Sequence, residues 1–475
     1  MMGSIIWLIA LPLLAAFVSV VAQTYQYGLL VVTLLMNLLV LFAAPQGLTI
    51  IGGYEPPFGI SLLFDQYALI ALLLIQVLLL LIIVLARPLA KNYTPVILVM
   101  LAGLNGMLLT NDLFNLFVMI EIVSIAAFIL STANGKLTHT FHYLILATVS
   151  GVFFLLGTVL VYAYTGILVV QGLMMRLASL PVALSLIPMM LLIFGMAVEL
   201  KLVPVSSWAK NIYGQANLLT GPIFAAVLAP AFGFVFGRMM NEVIVLHSLT
   251  GYTLLVMAIS TFVLGELAAY RQTDLLKTLA FSSIGQSGLA VMMFTLGAPW
   301  AGILLLINNA LAKSILYGVA TGVTAAYGNA SMGVLKGVFY HHRLLGVAFS
   351  LASLSLVGIP LFLGFFAKVS AVMAIFSTGL IWVPVIILLT AIVEGAYVMR
   401  WLLQLWSPAF EGYLASKKEL PQKRNVFSAQ QILVVGVLAV ILFTMGLMPQ
   451  RFVDALQKTQ PAMAQYEMVG QGEQQ

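Results

Sequence analysis

The chain has 475 residues, of which 63% are hydrophobic and 7% charged, and its mean hydropathy is +1.13. A soluble domain carries about 25% charged residues, so the composition excludes a soluble protein and points to an all-α polytopic membrane protein. The net charge of +6 comes with no basic run interleaved with aromatics, which argues against nucleic acid, and the absence of cysteine rules out disulfides and Cys-held zinc or iron–sulfur clusters in this chain.

Apolar runs of about 20 residues give fourteen candidate helices, near 4–22, 28–45, 66–86, 93–110, 112–131, 142–163, 183–203, 219–239, 250–270, 275–297, 299–323, 345–377, 380–404 and 429–449. The first lacks a basic n-region and a small-residue cleavage site, so it reads as a retained helix. Residues 46–65 and 405–428 are the longer polar connections, and the Gln-rich 451–475 stretch reads as a loose tail. In this scheme Arg87, Lys91, Lys136, Lys210, Arg271, Lys277, Lys336, Arg343, Lys417, Lys418, Lys423 and Arg424 share one side. The other side keeps mainly Arg176, Arg238, Arg451 and Lys458. The basic side is cytoplasmic by the positive-inside rule, which puts both termini outside a plasma membrane.

The seventh run ends in Gly195-Met-Ala-Val-Glu-Leu-Lys-Leu-Val-Pro-Val-Ser-Ser-Trp208. Pro204 cannot donate to the Leu200 carbonyl, so a break is expected there, with a freed carbonyl beside Lys201. Charge inside a bilayer costs about 3 kcal/mol or more, and irregular backbone survives at that depth only against protein or a wet cavity. Glu199 and Lys201 are two apart and would point to nearly opposite faces of an intact helix. The twelfth run is too long for one span and contains Gly358-Ile-Pro-Leu-Phe-Leu-Gly364, a second break, with Lys368 just beyond it. Each broken helix is the fourth of a five-helix block, a weak internal repeat of the kind that marks transporter sites. The organisation expected is therefore 1–92 with three helices, 93–239 and 250–404 as repeats, 405–450 as loop and last helix, and the 451–475 tail.

Glu121 lies mid-helix with no opposite charge near it in sequence, and Lys313 lies in Ile307-Asn-Asn-Ala-Leu-Ala-Lys313 with no helix end near enough for snorkelling. An ammonium out of water keeps its proton only while an opposite charge or carbonyl faces it, so buried lysines can exchange protons. Each of these residues also has a plain structural reading: a hydrogen-bonded acid for Glu121, a lysine tied to a helix-end carbonyl for Lys313 and Lys368, a neutralising edge acid for Glu199. Glu266 and Glu394 are expected to pair with Arg271 or Arg400. Asp112 and Asp274 stand at helix starts and are expected to cap them. His139, His142, His341 and His342 fall in expected cytoplasmic loops and are read as solvated, with no metal site.

At these residues the sequence resembles the antiporter-like subunits shared by complex I, membrane-bound hydrogenases and Mrp-type cation/proton antiporters, most closely the branch of the D-type Mrp subunits and the hydrogenases. The carrying stretches are Gly53-Tyr-Glu-Pro-Pro-Phe-Gly-Ile-Ser61, Leu109-Thr-Asn-Asp-Leu-Phe-Asn-Leu-Phe117 through Glu121, residues 195–216, Asp274 to Gly288, Asn308 to Lys313, and Gly358 to Lys368. The resemblance implies fourteen helices, two inverted five-helix repeats, broken seventh and twelfth helices, and a mid-membrane row of buried charge carrying protons. On this sequence the row falls on Glu121, Glu199, Lys201, Lys313 and Lys368, supported by Pro204, Trp208, Gln286, Asn309 and Pro360. The chain departs from the family pattern at several points. Glu199 holds the seventh-helix lysine position and Ser206 the histidine position. Pro230 replaces the eighth-helix lysine. Gln286 and Asn309 replace the tenth- and eleventh-helix histidines, and neither amide takes up a proton near neutral pH.

The expected function is a proton- or cation/proton-translocating subunit of a larger membrane complex, without an active site or cofactor of its own. Its partners would be other membrane subunits and lipid, with protons, or sodium, as the ion. Two rivals stand beside it: a non-conducting scaffold that kept the fold, and a stand-alone solute transporter. Respiratory, hydrogenase-like, Mrp-type and inorganic-carbon complexes all stay open as its setting.

Overall fold

Helix occupies each of the fourteen expected stretches in the computed structural model, which describes residues 5–54, 59–244, 248–376, 380–407 and 427–447. Residues 55–58 of the Gly53–Ser61 stretch, the basic loop residues Lys417, Lys418, Lys423 and Arg424, and the 451–475 tail lie outside the described residues.

The first block has α1 (Trp7–Val21), α2 (Gln26–Ala43), a hairpin of β1 (Gly47–Ile50) and β2 (Ser61–Phe64), α3 (Gln66–Leu85) and the short α4 (Arg87–Asn92). The second runs through α5 (Thr94–Leu109), α6 (Leu113–Ser131), α7 (Leu137–Thr165), the short α8 (Leu173–Ala178), α9 (Val182–Ala197), α10 (Ser207–Tyr213) and α11 (Thr220–Glu242). The third runs through α12 (Ser248–Tyr270), α13 (Leu275–Thr295), α14 (Pro299–Tyr327), the short α15 (Val338–His341), α16 (Arg343–Val357), α17 (Leu363–Phe376) and α18 (Trp382–Leu405). The chain then forms α19 (Ala429–Leu447).

Among the described residues, nine helices are long and apolar enough to cross a membrane, and α1, α5, α9, α16 and α17 are shorter apolar helices. The core sits on α11 and α14, which are buried almost all along their apolar lengths, while α2, α7, α18 and α19 leave most of theirs outside. An apolar outer face needs no cover in lipid, so helices such as α7 and α18 are not amphipathic in the soluble sense. His139 and His142 lie within the first two turns of α7, not in a loop.

Proline decides the local structure of α1. Pro12 has no N–H to give the Leu8 carbonyl one turn back. That carbonyl accepts instead from Asn37 Nδ2 at 3.3 Å and Asn105 Nδ2 at 2.6 Å, and Gln76 Nε2 donates to Asn105 Oδ1 at 3.0 Å. One missing hydrogen bond thus ties α1, α2, α3 and α5 together through buried amides.

Local features recur at a spacing of 162 residues. Asp112 caps α6 by accepting from Asn115 N at 2.7 Å, and Asp274 caps α13 by accepting from Lys277 N at 3.0 Å. Asp112 bridges Val169, and Asp274 bridges Ser331. Gly166 and Gly328 end α7 and α14 at positive φ, where a side chain would be strained. Arg238 and Arg400 are also 162 apart, and each stacks over a tyrosine at 5.3 Å, though Tyr67 and Tyr270 do not share that spacing.

Asn105→Leu should destabilise the chain by about 1–3 kcal/mol, because buried polar partners lose their bonds. Adding Pro12→Leu, which returns an N–H to the Leu8 carbonyl, should recover part of that loss. Thermal unfolding of single and double variants in detergent checks this; losses that simply add would refute the link.

Candidate functional site

Two of the charged residues, Glu199 and Lys201, lie where a helix stops. α9 ends at Ala197, seven residues before Pro204. The break therefore comes earlier than the proline alone predicts, and both Glu199 and Lys201 lie in the irregular stretch between α9 and α10. Leu202 N donates to the Ala197 carbonyl at 2.8 Å, and Lys201 N donates to the Val198 carbonyl at 3.0 Å. Trp208 Nε1 donates to the same Val198 carbonyl at 3.1 Å. The carbonyl expected to be freed is that of Leu200; the one that the indole meets is that of Val198, which Lys201 N also bonds. Val203 N is met by Thr261 Oγ1 of α12 at 2.8 Å. The Val203–Pro204 bond is cis, and Pro204 is exposed on the outer side of the break. Lys201 itself takes φ +59°, a left-handed conformation that costs a residue with a Cβ energy.

This backbone aims the two charges apart. Glu199 is buried against α6 and α7, accepting from Ser124 Oγ at 2.9 Å and from the Tyr143 hydroxyl at 3.4 Å. Ser124 is three residues past Glu121, on the same face of α6. Glu121 is half-buried, has no hydrogen-bond partner among the described residues, and lies against Gly151, where a Cβ would strike its carboxyl. Lys201 is fully buried on the other side. Its Nζ donates to Ser283 Oγ of α13 at 3.1 Å and to the Tyr213 hydroxyl at 3.5 Å, above the Tyr213 ring. Glu199 and Lys201 make no ion pair with each other among the described residues.

α13 continues the row. Ser282, next to Ser283, accepts from Lys313 Nζ of α14 at 2.8 Å, and Lys313 also donates to the Leu279 carbonyl at 3.3 Å. Tyr397 donates to Glu266 Oε2 at 2.8 Å. Gln286 Nε2 donates to Glu266 Oε1 at 3.3 Å and to Glu394 Oε1 at 3.0 Å. Glu394 Oε2 closes the series on Lys368 Nζ at 2.5 Å. Lys368 also donates to the Val357 carbonyl at 3.0 Å, at the C-terminal end of α16, where a cation is favoured.

The expected pairing of Glu266 and Glu394 with Arg271 or Arg400 is wrong. Five and six residues apart, these groups fall outside the spacing of three or four that shares a helix face. Both acids turn inward, and Arg400 instead donates to the Tyr270 and Gln272 carbonyls at 2.7 and 2.9 Å. Lys313 is not tied to a helix end; Lys368 is, and is ion-paired as well. Of the supporting residues, Trp208 and Gln286 join the row. Pro360 is exposed in the α16–α17 gap, beside Leu361 at φ +83°. Asn309 is buried, but its Oδ1 makes no hydrogen bond among the described residues, so it stands apart. Ser124, Tyr143, Tyr213, Ser282, Ser283 and Tyr397 are additions that the structure alone brings in. Spacing signals some of them, since Ser124 and Tyr397 each lie three residues past a buried acid.

The chain matches the family described as NADH:quinone oxidoreductase/Mrp antiporter, transmembrane, over residues 110–393. It is 31% identical to the N-type NADH-quinone oxidoreductase subunit of Desulforudis audaxviator, covering 82% of this chain and 83% of that one. It is 24% identical to the D-type Na(+)/H(+) antiporter subunit of Alkalihalophilus pseudofirmus, covering 84% and 83%. Its fold superposes on a chain of the membrane-bound sulfane sulfur reductase, an archaeal respiratory membrane complex, with TM-score 0.87 and 26% identity over 97% of both.

Glu394→Leu would leave the Lys368 ammonium buried with only the Val357 carbonyl facing it among the described residues. Breaking a buried pair in this way costs about 3–5 kcal/mol, whereas replacing both partners by apolar groups costs far less. Glu394→Leu should therefore lower thermal stability in detergent more than Glu394→Leu/Lys368→Met does; the reverse order would show that the pair is not held in this way.

Proposed function

The chain belongs to the family of NADH:quinone oxidoreductase and Mrp antiporter transmembrane subunits, and from that premise we propose that it moves protons, or exchanges them for cations, as one subunit of a multi-subunit complex in the plasma membrane. The observation that carries this reading is the row itself. Glu199, Lys201, Lys313, Glu266, Glu394 and Lys368 are all buried and each is met by a hydroxyl, an amide or an opposite charge; adjacent Ser282 and Ser283 receive Lys313 and Lys201, and Gln286 joins Glu266 to Glu394. Ionisable groups are costly inside a membrane and are kept there for ion pathways. Glu121, half-buried at one end, is the entry to the row, and Lys368 is its far end.

The finer architecture follows the same reading. Fourteen spans cross the membrane, with both termini outside. Residues 93–239 and 250–404 are two inverted five-helix repeats, in which the broken helices α9–α10 and α16–α17 correspond. Protonation moves along the row by charge: a lysine that gives up its proton changes the field at the next acid. The energy comes from partner subunits. Protons are favoured over sodium because Ser and Tyr hydroxyls and Lys ammoniums, not clustered oxygen ligands, connect the acids.

One observation favours a scaffold instead. Pro230, Gln286 and Asn309 carry no proton, and Asn309 Oδ1 is not bonded into the row among the described residues. The two readings separate by mutation. Glu121→Gln and Lys368→Ala should each abolish proton transport in vesicles while the complex still assembles, and Glu199→Gln and Lys201→Ala should slow it strongly. Transport at parent rates in all four variants, with the complex lost on deletion of the chain, would establish the scaffold.

A further inference from the structure

Between Lys313 and Lys368 buried polar groups follow one another in two hydrogen-bonded runs. Lys313 donates to Ser282; Tyr397, Glu266, Gln286, Glu394 and Lys368 are bonded each to the next. Every member is buried. An ammonium, a hydroxyl or a carboxyl can release one proton and accept another. Gln286 cannot, since a carboxamide holds its N–H protons near neutral pH and takes up none. It also sits where two carboxylates face each other, with one nitrogen donating to both. Glycines bring the helices together here: a Cβ at Gly285 would meet Glu266 Oε1 at 2.5 Å, and a Cβ at Gly265 would meet the Gly285 backbone N at 2.5 Å. So α12 is pressed close to α13, and Glu266 has little room to move away.

We propose that Gln286 is the gate of this half of the row, and that Glu266 and Glu394 are the proton carriers on either side of it. With the amide in place, each carboxylate oxygen nearest its neighbour is occupied by an N–H, and no proton crosses. When the amide turns aside, the two carboxyl groups share a proton directly. The Lys313 ammonium gives up a proton, which passes by exchange through the Ser282 and Tyr397 hydroxyls and neutralises the Glu266 carboxylate. Glu266 then gives it to Glu394, whose negative charge had been matched by Lys368. Lys313 is left neutral until it is recharged from the Lys201 side. The groups that face the gate are Glu266 on α12, Lys313 on α14, Lys368 on α17, and Glu394 and Tyr397 on α18. This inference rests on the proton-translocation reading above and names the control point within it.

The test measures proton flux in proteoliposomes holding the purified complex, both driven and as passive leak under an imposed potential. Gln286→His puts a proton carrier in the gate, and passive leak should rise at least several-fold. Gln286→Met keeps the size without the function, and its leak should not exceed the parent's. Gln286→His combined with Glu266→Gln, or with Tyr397→Phe, should lose the added leak, because the proton no longer reaches the gate. Gln286→Glu replaces Gln286→His if the histidine variant does not assemble. A leak equal to the parent's in the titratable variant, or one that persists with Glu266→Gln, overturns the gate. If driven transport is still blocked by Lys313→Ala, that failure belongs to the gate alone. If driven transport survives Lys313→Ala and Lys368→Ala, the wider reading fails with it.

Discussion

A charge taken out of water must be met by an opposite charge or an aimed dipole, and in this chain that demand places helices as well as side chains. Lys368 lies where α16 ends because the Val357 carbonyl and the Glu394 carboxylate both face it there. Lys201 is met by two hydroxyls and an aromatic ring, with no carboxylate in contact among the described residues. Such weak partners are enough only if little charge separation is required, and a serine or tyrosine hydroxyl accepts from an ammonium without fixing it as strongly as a carboxylate would. The lysines in the middle of the row are thus held loosely and the one at the end tightly.

The broken helices are how the chain meets this demand. An intact α9 would put Glu199 and Lys201 on opposite faces with the helix between them. Ending the helix at Ala197 and turning Lys201 left-handed sends one group to α6 and α7 and the other to α13. The Val198 carbonyl in the break is covered by Trp208, which also packs against Tyr143 at 4.4 Å. The indole thereby joins the covering of the break to the ring that donates to Glu199. Pro204 and Pro360 lie on the outside of their breaks and shape the chain path without touching the charges.

Much of the fold is legible in the sequence because membrane helices announce themselves by length and hydropathy, and because Asp112 and Asp274 are capping residues in plain view. The breaks at Pro204 and Gly358–Gly364 are also legible, though proline marks the end of the irregular stretch at 204 and not its start. The five charged site residues stand out because charge in an apolar run is conspicuous. What sequence cannot give is direction. Proximity along the chain assigns Glu266 and Glu394 to the nearest arginines, but helix geometry turns them to partners 20 to 131 residues away. Serines and tyrosines are common in such helices, and only contact across helices shows which ones carry the row.

Ser282 and Ser283 are neighbours on α13, yet each receives a lysine from a different half of the chain. They are rigidly joined by one peptide unit on one helix. Any displacement of α13 moves both hydroxyls together, so the two lysines share a common axle. The Lys201 and Lys313 ammoniums are therefore tied through one short piece of backbone on α13, and a disturbance arriving at Lys201 has a mechanical route to Lys313 beside the electric field.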